Sequence, residues 1–261
     1  GNDLAYALFL PTYTATAWYH KRLPAELQQR TLEQVVAESE RFALNEYTRA
    51  LMQGDRIPDA ERRAVVTRLA QLTGLTPAYI EQTNLRINIS RFDKELLRSE
   101  RRTAGRLDSR FTGIDLNAST EEPEHDPSYS AIFGEYTAVL NDWIRRGLKF
   151  ETDLPYEILT GKVRPWSYER FQNRYIDVGE TLRAAMAQNP HLRVLLASGY
   201  YDLATPFAAS DYTFARMQID PELRKNVTTT YYPAGHMMYI HRGSHRKLRE
   251  DVLAFLKASI P

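Results

Sequence analysis

The sequence contains no cysteine, which excludes disulfide bonds, a thiolate nucleophile and cysteine-ligated metal. It also has almost no net charge, because 34 basic residues against 33 acidic ones leave +1 at pH 7. This balance gives no overall field toward nucleic acid or an anionic membrane, and we expect neither partner. No stretch approaches the roughly 18 apolar residues that a membrane-spanning helix requires.

The N-terminal stretch "GNDLAYALFLP" has neither an initiator methionine nor the layout of a signal peptide. We therefore expect that the chain does not begin where its gene begins. The aromatic residues of 6–19 suit a helix that faces a membrane, or a cap helix that lines a substrate cleft or packs on the protein body, and the length favours the cap helix. The basic run 98–102 is typical of a solvated helix face.

Helical periodicity dominates the first hundred residues. Apolar residues recur at helical spacing, glycines follow the expected helix ends, and Thr76 precedes Pro77 as a plausible N-cap. The predicted helices span residues 24–52, 58–74, 76–84 and 88–101.

A polar, irregular segment follows at 103–130, with room for a short hairpin. A further helix is predicted over 131–148, and irregular chain then continues to about Trp166.

From about residue 170 helices and strands alternate, which is typical of a parallel α/β sheet. The apolar run 192–202 predicts a strand buried on both faces. In the C-terminal helix we expect Leu248, Val252, Phe255 and Leu256 to point inward. The predicted elements are helix 174–190, strand 192–202, helix 205–218 with Thr205 as cap and Pro206 in first position, strand 226–233 and helix 245–259.

Two chemically active residues follow these strands. Asp202 comes after the first strand and His236 after the second, so both lie at the carboxyl end of the sheet, where catalytic groups of such sheets sit. A carboxylate can fix the tautomer of an imidazole, which then acts as a general base. The alternative is structural, since a strand-end aspartate often caps a helix and a lone histidine is often structural.

The words around these residues resemble the serine carboxypeptidase family. "GYYDLATP" and "AGHMMY" are similar to the family's aspartate and histidine motifs. "GRLDSRF" (105–111), "DPSYS" (126–130) and "LPYEIL" (154–159) resemble its bacterial branch. The absence of cysteine also favours that branch over the disulfide-rich eukaryotic members.

The resemblance implies an α/β fold that is the C-terminal portion of an α/β-hydrolase with a large, mostly helical cap. Residues 1–170 would form the cap and residues 171–261 the end of the hydrolase domain. Asp202 and His236 would be the acid and base of a catalytic triad, with Met237 at the pocket wall and Gly235 permitting the turn. The implied protein is secreted or periplasmic, needs no cofactor and acts on peptides.

The chain lacks a recognisable nucleophile. None of its serines stands in the Gly-x-Ser-x-Gly frame of the family. Ser198 lies in the strand that bears Asp202, and Ser244 follows the histidine, which is the wrong order. We expect the nucleophile and oxyanion hole in a missing N-terminal part, which becomes a required partner, and we expect the chain alone to be inert.

Other readings remain open. Acyl transfer uses similar motifs, so peptide hydrolysis is inferred from the branch. His236, His241 and His245 could suggest a metal site and the acidic stretch 121–126 a calcium site, but neither has the spacing of known sites, and we expect no metal. The alternative from another class is a non-catalytic helical interaction module derived from a hydrolase.

Overall fold

Helices account for 57% of the computed structural model and strands for 6%, in a mixed α/β arrangement with two small sheets. The structure describes residues 2–260. The helices are α1 (Leu4–Tyr19), α2 (Ala25–Gln28), α3 (Leu32–Phe42), α4 (Thr48–Gln53), α5 (Asp59–Thr73), α6 (Pro77–Gln82), α7 (Ile89–Glu95), α8 (Pro127–Asp142), α9 (Gly179–Gln188), α10 (Phe207–Arg216), α11 (Pro221–Arg224) and α12 (Arg242–Ser259). The strands are β1 (Thr103–Ala104), β2 (Thr112–Gly113), β3 (Val194–Gly199) and β4 (Val227–Tyr232).

Helix α1 forms the centre of the main core. It packs against α3, α5 and α10, and most of its residues are buried. The buried hydroxyls of Thr14 and Thr16 donate to the carbonyls of Leu10 and Thr12, four residues earlier, at 3.0 and 2.9 Å. Such bonds let polar side chains enter an apolar core without losing their partners. The prediction that this segment packs on the body is confirmed.

The single long helix predicted over 24–52 is wrong. The chain leaves the helix after α2 and starts again at α3, where Thr31 and Gln34 form a reciprocal capping box. That box satisfies free amide groups at a helix start, so it favours a break that apolar periodicity alone does not register. A π-helical segment, Ala43–Tyr47, then joins α3 to α4.

The next helices agree better with the sequence. Helix α5 ends at Thr73 and is capped by Gly74, which adopts φ 72°, and Thr76 is the N-cap of α6. Helix α7, by contrast, stops at Glu95 rather than 101 and gives way to a 3-10 turn, Arg98–Glu100. This turn contacts the segment 115–121, because Arg98 donates to the carbonyl of Thr120 at 3.1 Å.

The predicted hairpin is present as the antiparallel pair β1–β2. It precedes α8, whose N-cap Asp126 accepts from the amide of Ser128 at 2.9 Å. Helix α8 continues as a π-helical segment, Trp143–Gly147. Large apolar residues are exposed throughout this part, and they include Phe133, Val139, Trp143, Leu148, Phe150, Leu154, Trp166 and Ile176.

Strands β3 and β4 pair in parallel, as the alternation of helices and strands predicts. The expected burial of β3 on both faces is wrong, because its residues 194–197 are only partly buried. Within residues 2–260, β4 is its one neighbouring strand. The predicted inward face of α12 is also incompletely covered, and Leu256 is 46% exposed. Both departures follow from a sheet of two strands, which has little surface to offer a helix.

One hydrophobic cluster joins the N-terminal helices α1 and α3 to the chain that follows β3. Ala15 and Val36 pack there with Tyr201 and Phe207. The turn after β3 thus rests on the helices α1 and α3. Among the residues described, no helix is long and apolar enough to cross a membrane.

Candidate functional site

The ends of β3 and β4 bring Asp202 and His236 together. The last paired residues are Gly199 and Tyr232, so the two chains leave the sheet side by side. Asp202 is the third residue after the end of β3, and His236 is the fourth residue after the end of β4. The histidine Nδ1 lies 2.8 Å from Asp202 Oδ2.

Asp202 is held by four donors. Its Oδ1 accepts from the amides of Ala204 and Thr205 at 2.8 and 2.9 Å. Its Oδ2 accepts from the Thr205 hydroxyl at 2.6 Å as well as from His236. The carboxylate is therefore both a turn-forming residue and the partner of the histidine. The predicted cap of α10, Thr205, is wrong, because Pro206 takes that position and the Thr205 hydroxyl donates to Asp202 instead.

The hydrogen bonds select one tautomer of His236. Asp202 accepts only, so Nδ1 carries the proton and Nε2 presents a lone pair. No group in the described part of the chain bonds Nε2. The His236 side chain is 44% exposed, whereas that of Asp202 is 6% exposed. Such an arrangement can act chemically as a general base, because Asp202 orients the ring from the Nδ1 side and leaves Nε2 accessible. The neighbouring Met237 is half-buried, and its predicted role at a pocket wall stays a prediction.

Asp202 sets the pKa of His236. Its hydrogen bond raises the pKa above the usual 6.5, and burial partly opposes this. We expect Asp202→Asn to lower the His236 pKa, because the charge that favours the imidazolium is removed. NMR titration of the His236 ring protons measures the change, and Asp220→Asn, an exposed helix cap, is the control. An equal His236 pKa in the natural protein and in both variants would contradict the conclusion that Asp202 raises this pKa.

The same shift gives a pH dependence of stability. A histidine whose pKa is higher in the folded state stabilises the fold below about pH 6.5, and the gain is lost as pH rises through the folded value. Because the side chain is nearly half exposed, solvent screening keeps this gain small.

A segment from the helical region, residues 105–111, holds both loops of the site. The amide of His236 donates to the carbonyl of Leu107 at 2.7 Å, and the amide of Leu203 donates to that of Arg106 at 3.1 Å. The amide of Ser109 donates to the carbonyl of Tyr201 at 3.0 Å. We call residues 105–111 the clamp, since they tie the aspartate loop to the histidine loop.

Two charged side chains reinforce the clamp. Asp108 is buried and accepts from the amide of Gly235 at 3.2 Å. Arg110 grips Asp108 through Nε and Nη2, at 2.9 and 2.6 Å, and donates from Nη1 to the carbonyl of Pro233 at 2.8 Å. In the sequence, this stretch carries a family resemblance but no indication of its contacts with the two loops. Its one available signal was an Asp-x-Arg pair in an otherwise irregular segment.

Gly235 is needed for a reason other than the predicted turn. It does not adopt positive φ, which in the described residues only Gly54 and Gly74 do among glycines. A Cβ at Gly235 would instead lie 2.4 Å from the Leu107 carbonyl oxygen and 2.5 Å from Asp108 Cβ. A Cβ at Gly199 would lie 2.4 Å from the Gly235 carbonyl oxygen. The backbone segments at Leu107–Asp108, Gly199 and Gly235 thus pack closely against one another next to His236.

Neither Ser198 nor Ser244, the two serines considered as nucleophiles, lies beside the Asp202–His236 pair in the chain. Ser198 is a buried residue of β3. Ser244 is in the first turn of α12, where its hydroxyl lies 2.8 Å from Nδ1 of the N-cap His241. In residues 2–260 no three histidine, cysteine or acidic side chains group as a metal site would require.

The fold and site define a mixed α/β chain with an oriented Asp–His pair at the carboxyl ends of two parallel strands. Comparison with protein-family models, with curated protein sequences and with solved structures found no match. Function must therefore be argued from the site.

Proposed function

We propose that Asp202 and His236 are the acid and base of a serine-type hydrolase of the α/β-hydrolase fold, similar to the serine carboxypeptidases. The observation that carries the proposal is the 2.8 Å bond from His236 Nδ1 to Asp202 at the ends of adjacent parallel strands. Bonds to the backbone and Thr205 fix the carboxylate, and Nε2 is open to a hydroxyl. The words around both residues point to the carboxypeptidase family.

In the proposed reaction, His236 Nε2 takes the proton of a serine hydroxyl as the serine oxygen attacks the carbonyl of the last peptide bond. The imidazolium then gives this proton to the leaving amine, which departs as the C-terminal amino acid. Water attacks the acyl-enzyme by the same proton path and restores the serine. Asp202 stays ionised throughout and stabilises the imidazolium.

We further propose that the serine and the oxyanion hole come from sequence outside these 261 residues. The half-exposed His236, the partly buried β3 and the exposed apolar residues of 133–178 all suit a surface that packs against more protein. On this proposal the chain alone has no turnover. The resemblance also leads us to propose that the protein acts in the periplasm or outside the cell.

The test uses the full product of the gene that encodes this chain. A fluorophosphonate probe labels activated serines, and mass spectrometry locates the labelled residue. We expect one labelled serine outside the 261 residues and stepwise release of C-terminal amino acids from peptides. Labelling of Ser198 or Ser244 would contradict the assignment of the nucleophile. Transfer of the acyl group to an added alcohol in preference to water would assign an acyltransferase instead.

The exposed apolar surface also favours a second candidate, a non-catalytic interaction module. Residues such as Phe133, Trp143 and Leu154 would then contact a separate protein. This candidate expects no probe labelling and no release of amino acids by the full gene product. It also expects biological activity to survive Asp202→Asn, so the two candidates give opposite results in the same assays.

A further inference from the structure

A cavity of about 280 Å³ opens next to the clamp. Its polar lining comes from Ser90 and Asp93 of α7, from Arg106 of the clamp, and from His125 and Asp126 before α8. None of these residues belongs to the Asp202–His236 pair, and the proposed reaction does not use them.

Asp93 forms the buried wall of this cavity. The residue is 3% exposed, and its Oδ1 has no hydrogen-bond partner in residues 2–260. Burial raises the pKa of Asp93 well above its usual range, and nearby Asp126 adds to the shift while Arg106 reduces it. The protonated form is thereby favoured, and it offers an O–H donor. A buried polar group without a partner is costly, and Asp93 lines the cavity, so a ligand that accepts a hydrogen bond from its carboxyl group would relieve part of this cost.

Arg106 stands at the exposed side of the cavity. Its backbone is fixed, because the amide donates to Asp126 Oδ1 at 3.1 Å and the carbonyl accepts from Leu203. Its guanidinium forms no ion pair within the described part of the chain, in contrast to that of Arg110. Its charge also acts on His236, whose pKa it lowers slightly against the larger effect of Asp202. The cavity and the Asp–His pair therefore lie within electrostatic reach of each other.

The other acidic groups nearby are already satisfied. Asp126 accepts from the amides of Arg106, Leu107 and Ser128 and from the Ser128 hydroxyl. Asp115, beside His125, forms a buried ion pair with Lys94. Among residues 2–260, the lining groups without a hydrogen-bond partner include the Arg106 guanidinium, the Ser90 hydroxyl and Oδ1 of Asp93, whose raised pKa favours the protonated form. The unpaired guanidinium and the hydroxyl donate, and so does the protonated form of Asp93, so the cavity suits an anion rather than a cation.

We infer that this cavity is a subsite for the carboxylate of an acidic side chain of the ligand, with Arg106 as the ion-pair partner and Asp93 as a hydrogen-bond donor. The volume exceeds that of a bare carboxylate and holds a whole side chain. The inference rests on the proposed function in one respect, namely that the ligand is a peptide. The subsite would then give preference for glutamate or aspartate near the cleaved bond.

Binding to the 261-residue chain tests the subsite without turnover. The matched ligands are N-acetylglutamate α-methylamide, whose only carboxylate is on the side chain, and N-acetylglutamine, whose only carboxylate is terminal. Calorimetry should show tighter binding of the first. We expect Arg106→Gln to weaken this binding about tenfold or more, because a charged hydrogen-bonding partner is lost. Arg102→Gln, which makes the same charge change at an exposed position outside the cavity, should leave it unchanged.

Substitutions of Asp93 separate donation from charge. Asp93→Asn keeps a donor, so binding should stay within a few-fold of the natural protein, whereas Asp93→Leu should abolish it. If Asp93→Leu fails to fold, the Arg106→Gln measurement still tests the subsite, because Arg106 is exposed and its substitution should not disturb the fold. Tighter binding of N-acetylglutamine, equal binding by the Arg106→Gln protein, or no binding at all would overturn the subsite. Peptidase activity without acidic preference would overturn it while leaving the proposed hydrolase intact.

Discussion

Replacing His236 with alanine in the full gene product is expected to lower kcat/KM for release of a C-terminal residue by about 10⁴-fold or more. On the proposed mechanism, the serine hydroxyl would lose the base that takes its proton. The side chain is 44% exposed, so its removal should cost little stability. Peptide cleavage by liquid chromatography gives the rate, and thermal unfolding verifies that the fold persists.

Asp202→Asn should give a loss of similar size, about 10⁴-fold, for a different reason. The asparagine amide can donate to Nδ1 and would then favour the tautomer in which Nε2 carries the proton and cannot act as base. The control is Asp220→Asn, which removes an exposed carboxylate that caps α11. Normal turnover in either the His236 or the Asp202 variant would refute the catalytic assignment.

The second large effect is structural and applies to the 261-residue chain itself. We expect Gly235→Ala to reduce the free energy of unfolding by about 2–3 kcal/mol, the upper part of the roughly 1–3 kcal/mol range for overpacking in a dense interior. The added methyl would lie 2.4 Å from the Leu107 carbonyl oxygen and 2.6 Å from Asp108 Cα, both on backbone that cannot move aside easily. Urea unfolding followed by circular dichroism measures the change.

Gly134→Ala is the matched control for that experiment. Gly134 lies within α8, and a Cβ there meets no atom within 4 Å. Alanine is the better helix former by about 0.5–1 kcal/mol, so this variant should be as stable as the natural chain or slightly more stable. A Gly235→Ala protein that unfolds at the same urea concentration as Gly134→Ala would show that the backbone stack tolerates expansion.

The sequence predicts local structure well where one residue or a short period controls it. The αL glycine at 74 and the Thr76 cap place α5 and α6 correctly, and the alternation after residue 170 predicts the parallel pairing of β3 and β4. The same reasoning places Asp202 and His236 at one sheet edge, where the structure finds them in contact.

The remaining features depend on distant parts of the chain. The bond from Gly235 to Asp108 joins residues 127 positions apart, and no local pattern indicates it. The free Asp93 beside Arg106 depends on how α7 meets the clamp. The sequence predicts more burial of β3 than the structure shows. An apolar run indicates that a strand can be buried, but how much of it is buried depends on the strands and helices that pack against it.

The clamp connects helix α1 to the loop that bears His236. Because residues 105–111 seat the amide of His236 and also bond the turn that bears Asp202, the pair is anchored to the same body that carries α1. A rigid rotation of that body would carry the imidazole with it. If the proposed hydrolase opens to admit a substrate, the hinge would therefore lie beyond the clamp, in the exposed chain after α8, rather than at a boundary between helices and sheet.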